Sequence, residues 1–179
     1  MDIMENKVKT NQNKFILSEI KMYAWTASVQ RNTVYKEGID ENNKNIFRLD
    51  IINYVDSLVF PDYYVIVDED MHINNIIKIQ EKANDKFSAI LDKDVHRIGT
   101  IQKHFNLYLK YLWCLNKIPM PPHCPIDKII LIKAGDRSTA WTKMETIDEY
   151  ITAINKIKDK ANGIPLAEWE LDIWQRRIN

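Results

Sequence analysis

Two lysines and one aspartate are the residues whose type and placement could do covalent chemistry. Lys103 and Lys110 stand seven apart in GTIQKHFNLYLKYLW, Gly99 to Trp113. They therefore share one face of a helix, with Asn106 between them. The rest of that helix is apolar on most sides: Ile101, Phe105, Leu107, Tyr108, Leu109, Tyr111, Leu112 and Trp113. A helix of this kind belongs at the centre of a domain. Desolvation in an apolar interior disfavours an ammonium and makes a lysine a usable nucleophile near neutral pH. The proline-rich stretch NKIPMPPHCP then brings one carboxylate, Asp127, back toward the same helix. A plainer account of the same residues stays open. Lysine on a helix ordinarily reaches solvent along its alkyl stem. Asp127 also stands where an N-cap carboxylate is favoured.

The elements that must position these groups read as helices. The spacing predicts a polar, frayed tail over 1–13 and a first helix from Phe15 to about Val34. Phe47, Ile51, Tyr54, Val55 and Leu58 give a second helical stripe, which Pro61 ends. The run Tyr63–Val67 reads as a strand or a connector, and Met71–Leu91 as a third helix. The polar break LDKDVHRIG leads into the central helix, Thr100 to about Leu115. Asp127–Ala134 reads as a short helix or strand. Thr142 and Glu145 have capping-box spacing for a helix Met144–Ala161, which Gly163 and Pro165 close. A last helix spans about Leu166–Gln175. The expected fold is therefore all-α, with about seven helices in one compact domain around the central apolar helix. Its domain is expected over 14–179, divisible into lobes 14–91 and 92–179.

Composition agrees. The 179 residues are 45% hydrophobic, enough for one sizeable core, and four Gly with six Pro favour helix over turn-rich β structure. The formal net charge is zero, against a binder held by charge alone. Residues 93–133, however, carry seven basic and two acidic side chains. The N-terminus is polar, and no apolar run reaches membrane-spanning length. With two cysteines outside any CxxC pair, a cytoplasmic monomer with reduced thiols is expected.

The stretch Gly99–Leu131 resembles the helix-hairpin-helix DNA glycosylase superfamily, in its lysine-bearing branch of 8-oxoguanine glycosylase/AP lyase type. Gly99 is followed four residues later by Lys103, and Pro125-Ile126-Asp127 is similar to the proline-aliphatic-aspartate element of that branch. Asn106, Leu107, Leu109 and Lys110 extend the likeness, and Trp141-Thr142 with Leu166–Trp174 follow it loosely. The resemblance implies a helix-hairpin-helix glycosylase-like fold that extrudes a damaged base from double-stranded DNA. Lys103 would attack the sugar C1′ and form a Schiff base; Asp127 would stabilise the oxocarbenium-like charge and orient the lysine. Strand cleavage by β-elimination is the further step. Arg97, Gly99, Thr100, Lys110 and Lys128 would meet the DNA, and no cofactor or metal is implied. Trp25, Gln30, Phe105, Trp141 and Trp174 are base-pocket candidates by residue type. Each aromatic among them has core packing as its alternative.

Other signals carry less. His123-Cys124 lacks further ligands at zinc spacing, and Cys114 reads as a small buried hydrophobe. Arg176-Arg177 reads as solvated charge at a helix end. The competing function is a non-catalytic helical module that binds nucleic acid or protein, such as a mobile-element or phage accessory protein. The neutral balance and the single hairpin glycine favour it.

Overall fold

The computed structural model describes residues 3–174. They form seven α-helices: α1 (Ile3–Val29), α2 (Glu41–Asp62), α3 (Glu69–Phe87), α4 (Ile98–Cys114), α5 (Lys128–Lys133), α6 (Ile147–Ala161) and α7 (Leu166–Ile173). No strand forms among the described residues; an isolated bridge joins Tyr35 to Leu91. The all-α expectation holds.

The central helix is α4. Its buried residues surround its axis: Ile98, Ile101, Phe105, Tyr108, Leu109 and Leu112, with Thr100, Gln102, His104, Asn106 and Lys110 among them. Helix α1 lies along it most extensively, and α3, α6 and the turn at Trp141–Lys143 close other sides. α1 contributes Ala24, Trp25 and Ser28 to the interior. α2 contributes Phe47, Ile51, Val55 and Val59, the stripe visible in its spacing.

The helix ends follow local chemistry. Asp40 caps α2 by accepting from Asn43 N, and Asp68 caps α3 by accepting from Met71 N. Phe60, just before Pro61, leaves helical geometry at φ −101° and ψ 94°. A proline forces its predecessor out of the α region. Tyr63–Val67 is a connector. α6 ends on Asn162 in the left-handed region, followed by Gly163 at φ +86°.

Several boundaries differ from the sequence expectation: α1 ends at Val29, short of Val34, and α3 at Phe87, with Ser88–Ile90 a 3-10 turn before Leu91. The segment expected as a tail is helical from Ile3, so α1 is longer at its start. The capping box on α6 is Thr146 with Glu149, one turn later than Thr142 with Glu145. Thr142 instead lies in the 3-10 turn Trp141–Lys143, and Glu145 pairs with Lys93 and Arg97. α7 ends at Ile173; Gln175 and Arg176-Arg177 lie outside the described residues.

Candidate active site

Lys103 and Asp127 meet. Lys103 Nζ donates to Asp127 Oδ2 at 2.8 Å, with side chains 11% and 26% exposed. The pair is half sheltered and still reachable. Asp127 also caps α5: its Oδ1 accepts from Ile129 N at 2.9 Å and from Ile130 N at 3.1 Å. The capping role and the lysine contact therefore coexist on separate oxygens. Burial pushes the Asp127 carboxyl up. The Lys103 charge, its hydrogen bond and the two amides outweigh this, so the group lies below its ordinary range. The carboxylate stays ionised, which suits charge stabilisation better than proton abstraction.

What holds Asp127 in place is Gln102. Its Oε1 accepts from Ile126 N at 3.0 Å, and its Nε2 donates to Ile126 O at 2.8 Å and Gly99 O at 3.0 Å. One turn on, Asn106 Nδ2 donates to Cys124 O and to the Tyr150 hydroxyl, each at 3.1 Å. His123 Nδ1 shares a 2.7 Å hydrogen bond with that hydroxyl, and His123 Nε2 lies 3.1 Å from Glu69. The proline loop is thus clamped to α4 and α6 by fully buried side chains. A buried amide left unpaired is costly, so these bonds fix the loop.

Lys103 stands where two clefts meet. One, about 390 Å³, is mostly apolar, with Tyr23, Leu107, Tyr111, Leu171 and Trp174 on its walls and Lys110 beside them. The other, about 200 Å³, holds Asp127, Gln30, Arg31, Lys128, Ile129 and Trp141. Lys110 is bound to Glu170 in a buried ion pair, and its ammonium lies 5.3 Å from the Trp174 ring centre. Burial raises the Glu170 carboxyl above its ordinary range despite the adjacent Lys110 charge.

The remaining candidates separate. Gln30, Trp141 and Trp174 line these clefts, and Lys128 is exposed beside Asp127. Trp25 and Phe105 do not. Trp25 packs against Phe47, His96 and His104, and Phe105 stacks on His72 and meets Tyr63 edge-on. Both are core, because α4 is enclosed on those sides.

The expected DNA contacts on α4 are also taken up internally. Gly99 N donates to Met144 O at 3.1 Å, and a Cβ there would lie 1.7 Å from Trp141 O. Thr100 is buried, and its hydroxyl accepts from Asn32. Arg97 pairs with Asp92 and Glu145 and donates to Thr33 O. Lys110 is committed to Glu170. Cys114, expected as buried, is exposed on the apolar cleft; Cys124 is the buried thiol.

Sequence reasoning missed Gln102, Tyr23, Tyr111, Arg31 and Glu170. Gln102 and Asn106 had a signal: two amides one turn apart on an apolar helix must find buried partners. No helix among the described residues is long and apolar enough to cross a membrane. Compared with protein-family models, curated proteins and solved structures, the chain matches none.

Proposed function

We propose that this protein is a lysine-nucleophile enzyme acting on DNA, a base-excising glycosylase with associated lyase chemistry. One observation carries the reading: the Lys103 ammonium sits 2.8 Å from an ionised Asp127, at the junction of an apolar and a polar cleft. The apolar cleft suits a planar ring, since its walls supply aromatic faces and its volume falls within the range of about 300–1,000 Å³ for small-molecule sites. The polar cleft suits the sugar and its phosphates.

The chemistry follows from the pair. At rest Lys103 Nζ donates a proton in its hydrogen bond to the Asp127 carboxylate. For attack, that proton must leave to solvent, and a sugar with developing positive charge at C1′ competes for Asp127. The freed amine forms a bond to C1′ as the base departs with the bonding pair and takes up a proton. The C1′–O4′ bond then breaks as the nitrogen lone pair forms a C=N bond, O4′ takes up the proton lost by the nitrogen, and Lys103 carries an imine. Asp127 stabilises the positive charge at each stage.

The test is borohydride reduction in the presence of duplexes carrying an abasic site, an oxidised guanine, uracil or an alkylated base. A covalent protein–DNA band is expected with at least one. It should vanish in Lys103→Gln and persist in Lys133→Gln, an exposed lysine on α5. No band and no released base with any substrate would overturn the enzyme.

A second reading has its own support. The first amides of α4 are satisfied within the protein, and Asp127 already serves as a cap. A module that keeps the fold and binds without cleaving would show duplex binding with no adduct.

A further inference from the structure

The amides of Gly99, Thr100 and Ile101 at the start of α4 cannot hold a phosphate, because Met144 O and Arg97 O already accept from them. If DNA reaches Lys103, something else must carry its backbone. Two neighbouring clefts supply a candidate. The polar cleft at Lys103 and a third cleft, lined by Arg31, Asn32, Thr33, Lys93, Lys143 and Glu145 among others, share Arg31 as a common wall.

Most charges in these two clefts are paired. In the third cleft, Asp92 is paired with Arg97, and Glu145 with Lys93 and Arg97. In the polar cleft, Asp127 is paired with Lys103. The cations of these two clefts without an ion-pair partner are therefore Arg31, Lys128 and Lys143, the last of which also borders a cleft carrying Asp148 and Glu149. All three are exposed. The side chains of Arg31 and Lys143 have no hydrogen-bonding or ionic partner among the described residues, and Lys128 donates only to the main-chain oxygen of Arg137. Arg31 lies just past the end of α1, Lys128 opens α5, and Lys143 ends the Trp141–Lys143 turn. Three separate elements thus bring cations without a carboxylate partner to the rim around Lys103.

We propose that Arg31, Lys128 and Lys143 form a rim that grips the phosphodiester backbone of duplex DNA beside the Lys103 cleft, in place of main-chain amides. This rests on the reading of the site as DNA-directed. Arg31 is placed centrally, and its planar guanidinium can take one phosphate through two parallel hydrogen bonds. The protein's net charge is zero. Binding is therefore expected to depend on this local excess and to be modest.

The experiment measures binding to a short duplex with one abasic site across a salt series. The wild type is compared with Arg31→Gln/Lys128→Gln/Lys143→Gln and with Arg31→Gln alone. Neutralising three phosphates contributes about 2.7 to the slope of log K against log salt, or an affinity drop of about 40-fold between about 50 and 200 mM salt. The triple variant should lose that component, and the single variant about a third of it. In parallel, each protein is incubated with 2-deoxyribose, an aldehyde without phosphate, then reduced with borohydride and weighed by mass spectrometry. Loss of the salt-dependent binding with the Lys103 adduct retained supports the rim. An unchanged salt slope in the triple variant overturns it, and the adduct then shows whether the lysine site survives alone. A wild type that binds no duplex also overturns the rim; absence of the adduct as well brings down the site reading with it.

Discussion

Gln102 grips Ile126 by both of its main-chain polar groups, accepting from the amide at 3.0 Å and donating to the carbonyl at 2.8 Å. Asp127 is the next residue, and Lys103 is the next residue after Gln102. One buried side chain therefore sets the register between the helix that carries the lysine and the loop that carries the carboxylate. Gln102→Ala leaves both Ile126 groups and Gly99 O without this partner. We expect a loss of about 3 kcal/mol of stability, from two or three unsatisfied buried groups. Adduct formation should fall by more than the unfolded fraction accounts for. Denaturant titration alongside borohydride trapping checks both.

Asp127 does two jobs, and Asn separates them. Asparagine caps a helix about as well as aspartate, so Asp127→Asn should keep α5 and the thermal midpoint nearly intact. It removes the charge that faces Lys103, and adduct formation should slow by about a hundredfold or more. Asp127→Ala should lose both, with about 1 kcal/mol from the missing cap. Equal trapping rates in the wild type and Asp127→Asn would leave the carboxylate only its capping role.

Gly99 is a packing glycine. A Cβ would stand 1.7 Å from Trp141 O, a main-chain atom that cannot swing aside. Gly99→Ala should cost about 3 kcal/mol or more through forced separation of α4 from the Trp141–Lys143 turn. Thermal unfolding reads this directly. A midpoint within a degree or two of the wild type would mean the turn yields freely.

The elements that were legible show which physics is local. Helix α4 was readable because an apolar girth over four turns has one explanation, and the proline loop because four prolines permit no other. The same stretch did not reveal that Gly99 answers a close approach instead of a phosphate, since both uses need the missing Cβ. Two Thr-x-x-Glu patterns lie four residues apart, Thr142/Glu145 and Thr146/Glu149. Only the docking of Trp141–Lys143 against Gly99 decides which one caps α6. The Lys103–Asp127 pair could be anticipated, but its holder could not: Gln102 and Ile126 are 24 positions apart. The first turns of α1 carry no apolar stripe, so periodicity missed them.

The four histidines make the fold acid-sensitive. Burial lowers His96, His104 and His123 to about 3, and His72 lies well below its ordinary value. In the unfolded chain each takes a proton near pH 6.5. The unfolded state therefore binds more protons between about 6.5 and 3, and stability falls with pH across that window. At about pH 5 His96, His104 and His123 each cost about 2 kcal/mol, and His72 acts in the same direction. Circular dichroism should show unfolding in mild acid at temperatures where the protein is folded at pH 7. A thermal midpoint unchanged from about pH 7 to 5 would contradict the burial of these rings.

The most direct test of the central claim is to locate the covalent bond. The protein is incubated with an abasic-site duplex under borohydride, the adduct is digested, and the modified peptide is sequenced by mass spectrometry. The account predicts a reduced sugar adduct on Lys103, with Lys110 and Lys128 unmodified. An adduct carried by another lysine, or spread over several exposed ones, would contradict it.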